Sequence, residues 1–204
     1  LTNANLDGAD LTGADLTGAD LTGVISGNIT GNPTLPEGYQ MANGYIVGPN
    51  TNLINAILTN ANLDGADLTG ADLTGADLTG ADLTGVISRN ITGNPTLPEG
   101  YQMVNGYIVG PNTNLINANF TNANLNGANL NGANLTGADL TGAIINGATW
   151  TDGTVFGGAD YTITQAEYET ALSDLANAIA ERDARPTQAA YDAVVAESNN
   201  KYNL

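Results

Sequence analysis

Aspartate is the residue with the clearest chemical potential in this chain, because it recurs at a spacing of five residues. A carboxylate stands directly before a central leucine in many units, at Asp10, Asp15, Asp20, Asp67, Asp72, Asp77, Asp82 and Asp139. Carboxylate oxygens bind calcium when several of them converge on one ion. The calcium-binding nonapeptide of β-rolls reads Gly-Gly-x-Gly-x-Asp-x-U-x, and no segment here matches it. The spacing therefore predicts no metal site.

The other side chains that enzymes use are nearly absent. The 204 residues include no histidine and no cysteine, and the cations are only Arg89, Arg182, Arg185 and Lys201. Ser-His-Asp and Cys-His catalysts are therefore impossible, as are histidine and thiolate metal sites. We predict a protein that is not an enzyme, with no catalytic, cofactor-binding or metal-binding residues and no cofactor.

The charge balance excludes two further classes of partner. The net charge is −17, and nucleic-acid binding requires a basic surface that this chain lacks. An anionic membrane surface would repel it for the same reason. No apolar run approaches the length of a membrane span, so we expect neither nucleic-acid binding nor membrane insertion.

A five-residue unit, Ala-Asp-Leu-Thr-Gly, positions these carboxylates. Its central apolar residue recurs from Leu1 to Leu21, from Leu53 to Leu83 and from Leu115 to Val155, and alanine stands two positions before most of them. A strand alternates with period 2 and a helix with period 3.6, and neither would keep these residues on one side. A coil that turns a corner in every unit would place leucine and alanine inside. Aspartate, threonine and glycine would then point outward.

Tandem Ala-Asn/Asp-Leu-x-x units resemble the pentapeptide-repeat family. The resemblance covers about residues 1–161 and implies an all-β solenoid, a right-handed quadrilateral β-helix with four pentapeptides in each coil. It also offers an activity, because some members of the family resemble DNA in shape and charge and bind type II topoisomerases. That activity would require negative charge stacked along one face of the solenoid.

The order of the repeats disfavours such a stack. Consecutive units occupy consecutive faces, so the four aspartates from Asp67 to Asp82 ring one coil and point in four directions. The position one coil below Asp82 is Asn62, which carries no charge. A DNA-mimic regulator is therefore an alternative hypothesis and not the preferred one.

A longer duplication overlies the pentapeptides. Residues 24–60 recur at 86–122 with few differences. Each copy contains an insert, at 27–52 and at 89–114, in which an Asn-Gly pair predicts a hairpin turn. The block before the second copy has gained one pentapeptide, so we expect the two inserts to leave the solenoid from different faces.

Two interpretations of the inserts remain open. They could pack Tyr, Met and Ile side chains onto the solenoid. They could instead be contact loops, because loops carry a large share of protein function. In that case tyrosines combining an apolar ring with a polar tip are the expected contact residues, at Tyr39, Tyr45, Tyr101 and Tyr107.

The composition changes at residue 162, and residues 162–204 are predicted to form a short α-helical tail. Thr164 and Glu167 match a capping box, and Pro186 would end the first helix. Apolar residues follow an a/d-like seam at Tyr168, Leu172, Leu175 and Ile179. The tail could cover the end of the solenoid or associate with a second copy.

These features favour a non-enzymatic structural or assembly protein. We expect self-association through solenoid ends, helical tails or both, in an extracellular filament, a surface fibre or a virion or tail structure. The start at Leu1, in mid-repeat, would leave an open coil available for end-to-end contact. The alternatives are a cytoplasmic DNA-mimic regulator that binds a topoisomerase and a surface binding module that uses the tyrosine-bearing inserts.

Overall fold

A parallel ladder in which most paired residues are twenty positions apart defines the fold of residues 1–151, which are the residues that the computed structural model describes. Asn52 pairs with Asp72, and Asn124 pairs with Ile144, in each case twenty residues further along the chain. Each coil therefore contains four pentapeptides, and successive coils lie directly above one another. Residues 1–151 form the predicted β-helical solenoid, in which most of the ladder consists of single parallel pairs and not of long strands.

A tight turn closes each corner of the coil. The amide of Ala71 donates to the carbonyl oxygen of Leu68 at 3.0 Å, and Gly70 between them has a φ of +71°. A positive φ at this position is typical of a type II turn, which glycine and asparagine tolerate best. Asparagine takes the place of glycine in some coils, for example at Asn55, where φ is +58°.

The core is a column of leucine and alanine along the axis of the solenoid. Leu68, Leu73 and Leu78 are fully buried, and so are Ala71 and Ala76 between them. Outward positions carry the polar residues, so the predicted division into inward Leu and Ala and outward Asp, Thr and Gly is confirmed in these coils. Burial of this apolar column is the main favourable term in folding.

Two β-hairpins interrupt the ladder. In the first, β1 (Gln40–Ala42) pairs with β2 (Tyr45–Val47), and in the second, β3 (Gln102–Val104) pairs with β4 (Tyr107–Val109), both antiparallel. The turn of the first hairpin is Asn43-Gly44, with φ values of +48° and +79°. Two consecutive positive φ values are the property of the type I′ turn that the Asn-Gly pair predicts.

The first hairpin lies between coils and not on the outside of the solenoid. Met41 and Ile46 face one apolar cluster, formed by Leu21, Val24 and Ile29 of the preceding coils. Ala42 and Val47, on the opposite face of the hairpin, belong to the cluster of the following coils. The hairpin therefore separates two parts of the column and contributes apolar side chains to both.

The ladder crosses each hairpin on one face only. Ile25 pairs with Asn52 across the first hairpin, and Ile87 pairs with Asn114 across the second. Seven pentapeptides separate residue 52 from residue 87, which is one and three-quarter coils, so the two crossings lie on adjacent faces. The expected quarter turn between the inserts is confirmed. The ladder also continues into residues 27–52, because Thr30 and Thr34 still pair with the coil below.

The chain divides into two compact units, Leu1–Ile163 and Thr164–Leu204. The predicted helical tail at 162–204, with its seam of Tyr168, Leu172, Leu175 and Ile179, lies outside the described residues. None of the residues that the structure describes belongs to a helix long and apolar enough to cross a membrane.

Candidate functional site

The regularly spaced carboxylates accept hydrogen bonds at the corners of the solenoid. Oδ1 of Asp72 accepts hydrogen bonds from the amide and from the hydroxyl of Thr74, at 3.0 and 2.6 Å. Asparagine does the same in other coils, since Oδ1 of Asn62 accepts from the amide of Asp64 at 3.0 Å. The carboxylate oxygen thus acts as an acceptor that closes an Asx-turn.

These hydrogen bonds stabilise the ionised carboxylates. The threonine hydroxyl is the main cause of a pKa below the ordinary value at Asp10, Asp15, Asp72, Asp77 and Asp139. At Asp20 and Asp82 the main cause of the lowered pKa is the amide of the threonine two residues later. Within residues 1–151 no group of acidic side chains is arranged to hold a metal ion. The aspartates of this region that stand directly before a central residue are therefore accounted for by local turn geometry, whereas Oδ1 of Asp7 accepts a hydrogen bond from the side-chain amide of Asn28 at 3.5 Å.

The ladder also separates the charges along each face. Asp72 lies between Asn52 and Thr92, and Asp82 pairs with Asn62, as the order of the repeats predicts. Throughout the described ladder, an aspartate that pairs with a neighbouring coil has Asn, Ile or Thr as its partner. At the paired positions of residues 1–151, negative charge therefore does not continue from one coil to the next.

Buried hydroxyl groups join each hairpin to the neighbouring coils. The Ser26 oxygen accepts a hydrogen bond from the amide of Ile46, and Ser88 accepts one from Ile108, both at 2.9 Å. After the hairpins, the hydroxyls of Thr51 and Thr113 donate to the carbonyl oxygens of Gly48 and Gly110, both at 2.8 Å. All four hydroxyl residues are buried.

Sequence reasoning missed these four residues, although a signal was present. Ser26 falls on the five-residue register of the central leucines, and Thr51 falls on the register of the inward alanines. A polar residue at an inward position needs a hydrogen-bond partner. The hairpin backbone provides that partner, so the break in apolar character marks the point where the hairpin enters the column.

Tyr39 and Tyr101 close the ends of the hairpins. Their hydroxyls donate to the carbonyl oxygens of Pro49 and Pro111, at 2.9 and 3.0 Å. Burial raises the pKa of both phenols above the ordinary value, and the nearby Asp20 carboxylate adds to the effect at Tyr39. These rings occupy the space that a side chain at Gly48 or Gly110 would need.

Tyr45 and Tyr107 connect each hairpin to the following coil. The hydroxyl oxygen of Tyr45 accepts from the amide of Ile57, and that of Tyr107 accepts from the amide of Asn119, both at 3.1 Å. The Tyr107 ring also lies 5.1 Å from the ring of Phe120. All four insert tyrosines are half-buried, and packing accounts for these contacts. A role of the tyrosines in binding a partner stays a prediction.

A family model for pentapeptide repeats matches eight copies, over residues 1–25, 50–85 and 112–149. This chain belongs to the pentapeptide-repeat family. The two gaps between the matched segments contain the hairpins, which explains why the family pattern stops there. No curated protein matches the sequence.

Solved pentapeptide-repeat structures resemble the chain. HetL of the cyanobacterium Nostoc, involved in heterocyst differentiation regulation, is 31% identical, with 76% of this chain and 54% of HetL covered and a TM-score of 0.25. The chain thus spans about half the length of HetL. Rfr23 of the cyanobacterium Cyanothece is 23% identical, with 73% and 89% covered and a TM-score of 0.25. QnrB1, a plasmid-mediated fluoroquinolone resistance protein, is 18% identical, with 72% and 67% covered and a TM-score of 0.24.

Proposed function

We propose that this pentapeptide-repeat protein is a non-enzymatic structural protein that assembles through its surfaces into a filament, a fibre or a virion-type structure outside the cell. The observation that carries the proposal is that polar side chains form hydrogen bonds with the backbone and side chains of the solenoid itself. The carboxylate of Asp72 accepts hydrogen bonds from its own turn, and Ser26 and Thr51 bind the hairpin backbone. These groups form hydrogen bonds within the fold, which supports a structural role for them.

The backbone hydrogen bonds between successive coils support a structural role. Each coil is joined to the next by backbone hydrogen bonds on successive faces, for example from the Asp72 amide to the Thr51 carbonyl oxygen at 3.0 Å. Hairpins fill the column where the repeat changes. A solenoid of stacked units presents a long surface and depends on contacts between neighbours, which suits a component that sets distances between other molecules.

The DNA-mimic alternative receives less support from this geometry. Asp77 stands between Ile57 and Thr96 in the ladder, so charge does not continue from rung to rung on that face. A surface module that binds through the insert tyrosines is the other alternative. Its contact groups would be the exposed parts of the Tyr45 and Tyr107 rings, whose hydroxyl groups already accept hydrogen bonds from the following coil.

Sedimentation analysis and negative-stain electron microscopy of the full chain test the proposal. We expect particles that grow with protein concentration into rods or fibres. A species that stays monomeric at the highest soluble concentration would overturn the assembly role. A supercoiling assay with DNA gyrase is the matched test of the alternative, and we expect no inhibition at concentrations where assembly is complete.

A further inference from the structure

The two copies of the insert differ at one surface, and the difference leaves apolar side chains more exposed in the first copy than in the second. We call this surface the first ledge and define it as Asp7, Ile25, Gly27, Ile54 and Ile57. Ile25, Ile54 and Ile57 are 42%, 45% and 65% exposed. Isolated exposed apolar residues are ordinary on protein surfaces, but here Ile25 pairs with Asn52 of the next coil, and Ile54 and Ile57 follow Asn52 within five residues.

The equivalent surface in the second copy is covered by the chain itself. The second ledge consists of Thr69, Ile87, Arg89, Ile116 and Asn119, at the matching positions of the repeat. Ile87 and Ile116 are only half-exposed. A guanidinium nitrogen of Arg89 donates to the carbonyl oxygen of Ile116 at 3.1 Å, so its side chain runs along the ledge from one coil to the next. Arginine stems commonly cover apolar surface in this way.

The first ledge retains the acceptors for such a side chain but lacks the side chain. Gly27 stands where the second copy has Arg89, and within residues 1–151 no donor reaches the carbonyl oxygen of Ile54. In addition, Asp7 takes the place of Thr69, and its carboxylate oxygen lies 2.8 Å from the position that a Cβ of residue 27 would occupy. The first ledge is therefore more negative than the second. Gly27 itself is buried, because the Asp7 carboxylate and the Tyr45 ring, whose Cε1 lies 3.3 Å from the same Cβ position, cover it.

We propose that the first ledge is a docking site for an arginine side chain of a partner protein. The arginine methylenes would cover Ile25 and Ile54, and the guanidinium would donate to the Ile54 carbonyl oxygen and to Asp7. Charge-assisted hydrogen bonds of this kind are among the strongest in proteins. Arg89 is the one arginine or lysine among residues 1–151 and is already engaged, so the described part of a second copy cannot supply the group. This proposed arginine site is independent of the self-assembly proposed above.

Isotope-labelled full chain titrated with the peptide acetyl-Val-Arg-Val-amide tests this inference by amide chemical shifts. We expect saturable shifts at Gly27, Ile54 and Ile57. The Gly27→Arg variant copies the second ledge and should abolish them, and Asp7→Asn should weaken binding about tenfold through loss of a charged acceptor. The Arg89→Gly variant should create a second, weaker set of shifts around Ile116.

Two controls distinguish recognition of the arginine from nonspecific contact with the ledge. The Ile57→Asn variant copies Asn119, preserves the backbone turn and should reduce binding even if Gly27→Arg proves poorly folded. The peptide acetyl-Val-Gln-Val-amide should cause no shifts at the ledge. Absence of binding, equal shifts with the glutamine peptide, or shifts that persist in a folded Gly27→Arg variant would overturn the proposal. Shifts of the ledge amides with protein concentration alone would assign the ledge to a second copy, and the proposal would be wrong.

Discussion

The hydroxyl oxygen of Ser26 accepts a hydrogen bond of 2.9 Å from the amide of Ile46, and both residues are buried. This bond joins a coil of the solenoid to the hairpin that lies above it. Ser88 and Ile108 repeat the arrangement at the second hairpin. The entry of the hairpin into the column therefore depends on one small polar side chain at a position where other coils have leucine.

Replacement of Ser26 by alanine should destabilise the chain. The Ile46 amide would lose its acceptor while remaining buried, which costs about 1 to 3 kcal/mol. Ser26→Leu should be worse, because a leucine would fill the space of the hairpin. Urea denaturation measures both changes, and Ser26→Thr, which keeps the hydroxyl, is the control. Equal stability of Ser26→Ala and the unaltered chain would contradict the assigned role of this bond.

Leu73 and Asp72 are neighbours in sequence with opposite environments. Leu73→Ala should cost about 2 to 5 kcal/mol, because it leaves a cavity in the column, and Leu73→Asp should cost more because it buries an unpaired charge. Asp72→Asn should be close to neutral, since Asn52 on the same face accepts the equivalent bond from Ile54 at 3.1 Å. Thermal melting of the three variants checks the order. Similar losses for Asp72→Asn and Leu73→Ala would refute it.

The glycines at the corners should differ in their tolerance of alanine. Gly65 and Gly70 have φ values of +66° and +71°, but an added Cβ meets nothing at Gly65 and collides with Oδ1 of Asn50 at Gly70. Gly65→Ala should cost about 1 to 2 kcal/mol for the left-handed backbone, and Gly70→Ala should cost more. The double variant Gly70→Ala with Asn50→Gly should remove the excess. If it does not, the contact with Asn50 is not the cause.

The insert tyrosines distinguish packing from partner binding. Tyr45→Phe removes the acceptor of the Ile57 amide and should lower the free energy of unfolding by about 1 kcal/mol. Replacement of both Tyr45 and Tyr107 by alanine should lower it further through loss of ring packing. Melting and sedimentation are measured on the same samples. Unchanged assembly with a lower melting temperature supports packing alone, whereas loss of assembly at full stability would assign the rings to a contact.

Acid should destabilise the solenoid because it protonates the aspartates that accept hydrogen bonds at the corners. The threonine hydrogen bonds hold the pKa of aspartates such as Asp72 and Asp77 below the ordinary value, so the unfolded chain binds more protons in the acid range. The stabilisation that these carboxylates provide is fully present above their pKa in the unfolded chain. It is lost as the pH falls through their lower pKa in the folded chain, below about pH 4. Melting temperatures across this range provide the measurement.

The double variant Asp72→Asn with Asp77→Asn is the control for the acid effect. It keeps both corner acceptors but removes two titrating groups, so its melting temperature should fall less with acid. Relief of repulsion within a chain of net charge −17 acts in the opposite direction. A chain that becomes steadily more stable in acid would show that repulsion outweighs the corner hydrogen bonds.

The sequence by itself determined the coil. A five-residue register with leucine inside repeats the same local contacts in every unit, so burial of Leu73, exposure at the corners and the quarter turn between the inserts all follow from counting positions. The Asn-Gly pairs also predict their turns, because few residues tolerate two positive φ values. These features depend on neighbours in sequence or on the coil directly above and below.

Only the tertiary structure decided where the hairpins lie and what surrounds them. Their apolar residues could have packed outside the solenoid, but a two-sided hairpin buries Met41 and Ile46 against one part of the column and Ala42 and Val47 against the other. That choice depends on contacts between segments that are distant in sequence. It also gives Ser26 its partner and creates the first ledge, because only the fold brings Asp7, Gly27 and Ile54 into neighbouring coils.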